Sequence, residues 1–182
     1  MGGSNYYKAE FDNLLVLEAE GDGYTDAAYL RFDESSTAQT DKQFDAYKLF
    51  TTSNPELPQL YTMGGDKLSI NVLPETEMVP AGFKAGVSGT YTINLKEVKG
   101  MAIVILEDLV TGIQTDLMDH SYIFNYSVDD QENRFIIHST PLAINDNLTS
   151  DIAIYSFDKD VYVTVPKAAT GNINVYSIIG QE

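Results

Sequence analysis

Short runs of alternating apolar and polar residues recur along the chain, each cut off by Gly, Pro, Asn or Asp. Almost no window keeps the period of a helix. A period of two puts every second side chain on the same face of a strand, so each run offers one face to bury and one to hydrate. Leu15, Leu17 and Ala19 alternate with Val16, Glu18 and Glu20 until Gly21-Asp22-Gly23 ends the run. "AAYLRF" (27–32) and "FDAYKLF" (44–50) are further strand candidates, separated by the polar "DESSTAQTDKQ". "QLYTM" (59–63) closes on Gly64-Gly65-Asp66, and "LSINVLP" (68–74) closes on Pro74.

The middle of the chain repeats the pattern. "GTYTINLKEV" (89–98) sets Tyr91, Ile93 and Leu95 against Thr92, Asn94 and Lys96. The nearly continuous apolar run "MAIVILEDL" (101–109) suits an interior strand, and Thr111-Gly112 then turns the chain into "IQTDL". In "SYIFNYSV" (121–128) Tyr122, Phe124 and Tyr126 face away from Ile123, and "RFIIHST" (134–140) follows the polar turn "DDQEN". About ten such segments, roughly 10–15 residues apart, predict an all-β sandwich or barrel. Connections this short favour antiparallel pairing, hence an antiparallel β-sandwich of jelly-roll-like type.

The 182 residues are 43% hydrophobic, enough for one good domain with room for a smaller second unit. No apolar run approaches the roughly 20 residues of a membrane span. The start, "MGGSNYYKAEFDN", has neither the basic residues nor the apolar stretch of a signal peptide. With 27 acidic and 11 basic side chains the formal charge is −16. Such a surface repels phosphate backbones and anionic membranes, which argues against nucleic acid as a partner. The lack of cysteine excludes disulfides, thiolate catalysis and sulfur-ligated zinc. Aromatic character rests on 12 Tyr and 8 Phe, with no Trp.

The polar stretch "PLAINDNLTSD" (141–151) reads as a boundary, giving a β-sandwich module over 1–148 and a second unit over 149–182. In the second unit "IAIYSF" and "VYVTVP" face each other across Asp158-Lys159-Asp160 as a hairpin, and Gly171-Asn172 turns into a last strand. Three strands bury too little surface to stand alone.

The stretch "IAIYSFDKDVYVTVPKAATGNINVYSIIGQE" resembles the first half of the C-terminal sorting domain used by type IX (Por) secretion in Gram-negative bacteria. Ile152, Ile154, Tyr155, Val161 and Val163 match its first strand pair. Val175, Tyr176, Gly180 and Gln181 match its "V-Y-x-x-x-G-Q" strand. The family continues with a "G-x-Y-x-V" strand and a basic terminal strand that do not follow here, so the sorting domain reads as truncated. "DAYKLF", "PQLYTM", "LSINVLP", "GTYTINLKEV" and "SYIFNYSVDDQENRFIIH" together are similar to a β-sandwich module found just before such domains in large adhesin-like surface proteins. The resemblance implies the first strands of a small Ig-like β-sandwich over 149–182. It also implies a location outside the cell or on the outer surface of a Gram-negative bacterium. The expected partners are the type IX export machinery and an upstream domain of the same polypeptide.

"GDGYTD" approaches the dinucleotide fingerprint G-x-G-x-x-G, but Asp26 stands at the third glycine and no helical pattern follows. Glu18, Glu20, Asp22 and Asp26 would also face a pyrophosphate, so a turn between strands is the expectation. His120 and His138 have no metal-ligand spacing, and His138 is expected half exposed on a strand face with Arg134 and Ile136. Glu107-Asp108 at the end of the apolar strand, with Asp116 and Asp119 on the return, are expected to cap the hairpin and solvate its rim. Asp129, Asp130, Glu132 and Asn133 form an oxygen-rich loop of the kind that calcium takes, or a plain acidic turn. Tyr24 and Tyr29, with Asp22 and Asp26 as acceptors, are the candidates for a sugar platform; cross-strand packing is the alternative. The resulting expectation is a non-catalytic extracellular spacer or adhesion module beside a sorting domain. The alternative is a carbohydrate-binding module, calcium-stabilised, that holds an upstream enzyme on its polysaccharide.

Overall fold

A computed structural model describes residues 11–140 in full, and Pro141 and the strands at 153–157 and 160–164 by their backbone. The chain divides into two compact units, Met1–Leu142 and Ala143–Glu182, and the division falls within the polar stretch expected to separate them.

The first unit opens with a hairpin of β1 (Leu14–Gly21) and β2 (Tyr24–Phe32). Asp22 and Gly23 between them both take positive φ, 49° and 80°. That pair of angles is the two-residue turn whose twist matches a hairpin, and Asp-Gly is among the few pairs that adopt it cheaply. "GDG" is thus a strand-connecting turn, as expected. There follow β3 (Ala46–Tyr47), β4 (Gln59–Met63), β5 (Lys67–Leu73), β6 (Met78–Lys84), β7 (Gly89–Lys99), β8 (Met101–Asp108), β9 (Ile113–Asp116), β10 (Tyr122–Tyr126) and β11 (Phe135–Pro141). They form one sheet in the order β10-β7-β1-β2-β5-β4-β6-β11-β8-β9, with β3 laid against β5. The fold is all-β, a large and mostly antiparallel sheet that nearly closes into a barrel-like sandwich. Among the described residues no helix is long and apolar enough to cross a membrane.

The inward faces meet in a single core. Phe83 of β6 packs its ring 4.8 Å from Tyr91 of β7, and 5.1 Å and 5.0 Å from Phe124 and Tyr126 of β10. Phe135 of β11 lies 5.2 Å from Phe124. These contacts join the β6–β11 side of the curled sheet to the β7–β10 side. Each such pair adds about 0.5–1.5 kcal/mol beyond the area it buries.

Three features depart from the sequence reading. First, β6 carries Pro80 and Gly82 and was not foreseen as a strand. Its last pair with β4 is Thr62↔Ala81, so Pro80 falls just beyond that ladder. The N–H of Phe83 points to the other side, toward Glu132. By alternation the missing N–H of Pro80 faces the ended ladder and costs no bond. Gly82 is needed because a Cβ there would run into the Tyr61 ring. Second, "FDAYKLF" shrinks to the two residues of β3. The Asp45 carboxylate accepts the N–H groups of Val72, at 2.7 Å, and Asp41, at 2.6 Å, doing part of what a ladder would do. Third, β2 and β5 pair in parallel: the long 33–58 connection leads into β4, which runs opposite to β2, and the turn after β4 sends β5 back along the direction of β2.

In the second unit β12 (Ala153–Phe157) and β13 (Asp160–Thr164) form the expected hairpin, pairing Ile154 with Val163, Tyr155 with Tyr162 and Ser156 with Val161. Ile154, Tyr155, Val161 and Val163, whose pattern resembles a sorting motif, lie on these paired strands. Ile152, Val175, Tyr176, Gly180 and Gln181 lie outside the described residues.

Candidate functional site

The register of four neighbouring strands builds two rows across the outer face of the sheet. One row reads Glu97, Val16, Tyr29, Ile70; the next reads Lys99, Leu14, Arg31, Val72. Each row starts with a charge on β7 and runs into apolar side chains, with Tyr29 and Arg31 of β2 at its centre. Phe11, Gln43 and Phe44 rise around these rows and enclose a groove of about 560 Å³. That is within the usual range of a small-molecule site. Tyr29 is 42% exposed within it. Arg31 donates to the Asp33 carboxylate at 2.5 Å and stacks over the Phe11 ring at 4.8 Å. Its Nε is buried and has no partner among the described residues. Asp33 is held below the ordinary carboxylate range by the hydroxyl and the backbone N–H of Ser35, with Arg31 adding to the effect.

A second constellation sits where the sheet fails to close, between β10 and the β8–β9 hairpin. Arg134 donates through Nε and Nη2 to the two oxygens of Asp108, at 2.9 Å and 2.7 Å. Its Nη1 reaches the Asn125 carbonyl at 2.9 Å and the Asp130 carboxylate at 3.1 Å. The Tyr122 hydroxyl donates to Asp108 at 2.6 Å, and the guanidinium lies 4.8 Å from the centre of the Phe124 ring. Burial pushes the Asp108 carboxyl upward. The hydrogen bonds from Arg134, Tyr122 and the Val110 N–H, with the guanidinium charge, outweigh it and hold the group below its ordinary value. Burial, with the Asp108 bond behind it, raises the Tyr122 hydroxyl. A forked, fully bonded pair of this kind fixes geometry. Its chemistry is that of a clasp across the seam.

The expected sites resolve as follows. On β2 the alternation puts Tyr24 and Asp26 on one face and Tyr29 on the other, so the four sugar candidates do not converge. Asp22 is in the hairpin turn. Asp26 is spoken for: it pairs with Lys48 and accepts the Leu60 N–H at 2.6 Å. Tyr29 alone reaches the groove. The oxygen-rich loop is likewise split. Asp130 serves Arg134 and the Ser127 N–H, Glu132 pairs with Lys67 and Lys84, and Asn133 accepts from the Tyr61 hydroxyl at 2.9 Å. Asp129 is exposed. Hydrogen bonds from Lys67 and Lys84 hold Glu132 below its ordinary value. Among the described residues no three His, Asp or Glu side chains are grouped to hold a metal ion.

His138 is half exposed on β11, as expected, and its Nε2 lies 2.6 Å from Glu107 on β8. Two expectations are corrected. Arg134 does not share that half-exposed face; it turns inward and is 3% exposed. Asp108 does cap the hairpin, accepting the Val110 N–H at 2.9 Å, but it is fully buried and not on a wet rim. The sequence signal that could have found the clasp is an acid closing a strand as apolar as "MAIVILED". An acid there is buried unless the strand ends early, and a buried acid needs a cation.

No curated protein and no solved structure matches the chain. A family model described as a domain of unknown function, DUF8693, matches residues 19–138, a span that holds β2 through β10, the whole seam, and Tyr29, Arg31, Ile70, Glu97 and Lys99 of the groove. With well over half of its length matched, the chain belongs to the DUF8693 family.

Proposed function

We propose that the chain is a non-catalytic, extracellular β-sandwich module of a larger secreted or cell-surface bacterial protein, acting as an adhesion unit beside a type IX sorting domain. The observation that carries the adhesion reading is the groove: an aromatic and apolar recess built on rigid strands, with Arg31, Glu97 and Lys99 in its lining. Its charged groups are paired with one another or with Asp33, as in a surface that holds a ligand rather than transforms one. The β12–β13 hairpin, which pairs Ile154 with Val163, is in keeping with the export reading. Protease treatment of intact source cells tests it. Loss of the module while cytoplasmic proteins survive is expected, and protection equal to theirs would overturn the extracellular assignment.

A second reading, carbohydrate binding, is favoured by the half-exposed Tyr29 ring set among Gln43, Glu97 and Lys99. An aromatic face with hydrogen-bonding groups at its edge suits the apolar face and hydroxyl rim of a sugar ring. Affinity electrophoresis through gels carrying a β-glucan, a xylan or a pectate tests it. Retardation that disappears in Tyr29→Ala is expected. Unchanged mobility on all three polymers leaves the adhesion reading without a sugar ligand.

A further inference from the structure

The groove lies on a sheet face; a separate feature lies on a sheet edge. Among the described residues β10 ends the sheet, paired with β7 alone, and its other edge looks into the seam. The Asn125 carbonyl points that way, since it receives Arg134. In an antiparallel strand the N–H and C=O of one residue point to the same side, and every second residue repeats the direction. The N–H of Asn125 and both backbone groups of Ile123 therefore face the seam too. No backbone hydrogen bond outside the ladders engages them among the described residues.

Opposite β10 stand Val110 and Ile113, which with the strand line a slot of about 490 Å³. Both are more than half exposed, and Ile123 is 65% exposed. A stripe of open backbone polar groups flanked by apolar side chains is the chemistry that recognises an added strand. The usual protections of an edge are missing, for "YIFNY" contains no Lys, no Pro and no inward charge. Acids mark both ends: Asp119 just precedes the strand, and the exposed Asp129 closely follows it. With a net charge of −16, a second copy of the chain is repelled from this edge, whereas a cationic peptide is drawn to it.

We propose that the open edge of β10 accepts an extended peptide of another polypeptide, with alternating apolar side chains and basic residues at its ends. The peptide lies in the slot, pairs with Ile123 and Asn125, and sets its apolar side chains against Val110 and Ile113. Arg134 holds the remaining seam-facing carbonyl and keeps the slot from collapsing.

The test follows backbone amide NMR shifts of the full chain during titration with a synthetic peptide, Lys-Lys-Thr-Val-Thr-Val-Thr-Lys-Lys. Shifts centred on 121–127 are expected, with binding at least tenfold weaker when Glu replaces every Lys of the peptide. Methylating one alternate set of peptide amides should abolish binding, and methylating the other set should leave it. This signature needs no change to the protein. Ile123→Pro, which removes a seam-facing N–H and no ladder bond, should weaken binding at least tenfold. The proposal is overturned by any of three results: no shifts up to about 1 mM peptide, equal binding of both methylated peptides, or a free chain that sediments as a dimer dissolved by Ile123→Pro.

Discussion

Two arginine–aspartate pairs set the character of this molecule, and they contrast in almost every respect. Arg134–Asp108 is sealed in the seam, its side chains 3% and 0% exposed, with each guanidinium nitrogen matched to an oxygen. Arg31–Asp33 sits at the groove with side chains 26% and 22% exposed, a single bond between them, and the Arg31 Nε unmatched among the described residues. The first pair cannot be loosened without leaving a charge in a low-dielectric interior. The second can exchange its partner for water or a ligand at little cost. Chemically identical groups thus serve as a clasp in one place and as an adaptable surface in the other, and burial makes the difference.

The sharpest way to break the contrast is Asp108→Ala, which strands Arg134. A loss of about 3–5 kcal/mol of unfolding free energy is expected from urea denaturation. A loss under about 1 kcal/mol would place the two pairs in one class. Acid probes the same group. The folded Asp108 carboxyl lies below its ordinary value, so its contribution is complete above the unfolded value of about 3.9 and lost as pH falls through the folded one. The gap in urea midpoint between the parent chain and Asp108→Asn should therefore narrow as pH drops below about 4. A gap that stays constant to pH 2 would show that the pair is not ionic.

Tyr122→Phe removes one hydrogen bond to that carboxylate and is expected to cost about 1.5–3 kcal/mol by the same titration. Arg31→Ala, at the groove, should cost about 1 kcal/mol or less. Tyr29→Ala should leave stability within about 0.5 kcal/mol while changing whatever the groove binds. Thermal melts of these last two beside Tyr122→Phe rank the sites directly.

Much of the fold was legible in the sequence because its signal is local. The alternation in "GTYTINLKEV" and "SYIFNYSV" and the Asp-Gly turn after β1 each need only neighbouring residues to declare themselves. β6 was hidden because Pro80 and Gly82 disfavour a strand on their own. They are tolerated only where β4 has ended and where the Tyr61 ring crosses. "FDAYKLF" misled in the opposite sense, since it pairs with β5 at only two residues and its Asp45 carboxylate bonds the Val72 N–H of that strand.

The candidate sites were less legible. Tyr29 was visible as an aromatic on a strand. Its neighbours in the groove come from β1, β5, β7 and the connection before β3, and no spacing along the chain relates them. The clasp joins Asp108 to Arg134 across 26 positions and Tyr122 across 14.

The sequence by itself determined an all-β chain, since a period of two and frequent turn residues exclude helices. It also determined a strongly acidic composition. Only the tertiary structure decided which charges are buried, which face of β2 carries the groove, and which strand is left with an open edge. Those outcomes depend on how the sheet curls and where it stops short of closing. A long-range balance of packing and desolvation sets both, and no local stretch of sequence encodes it.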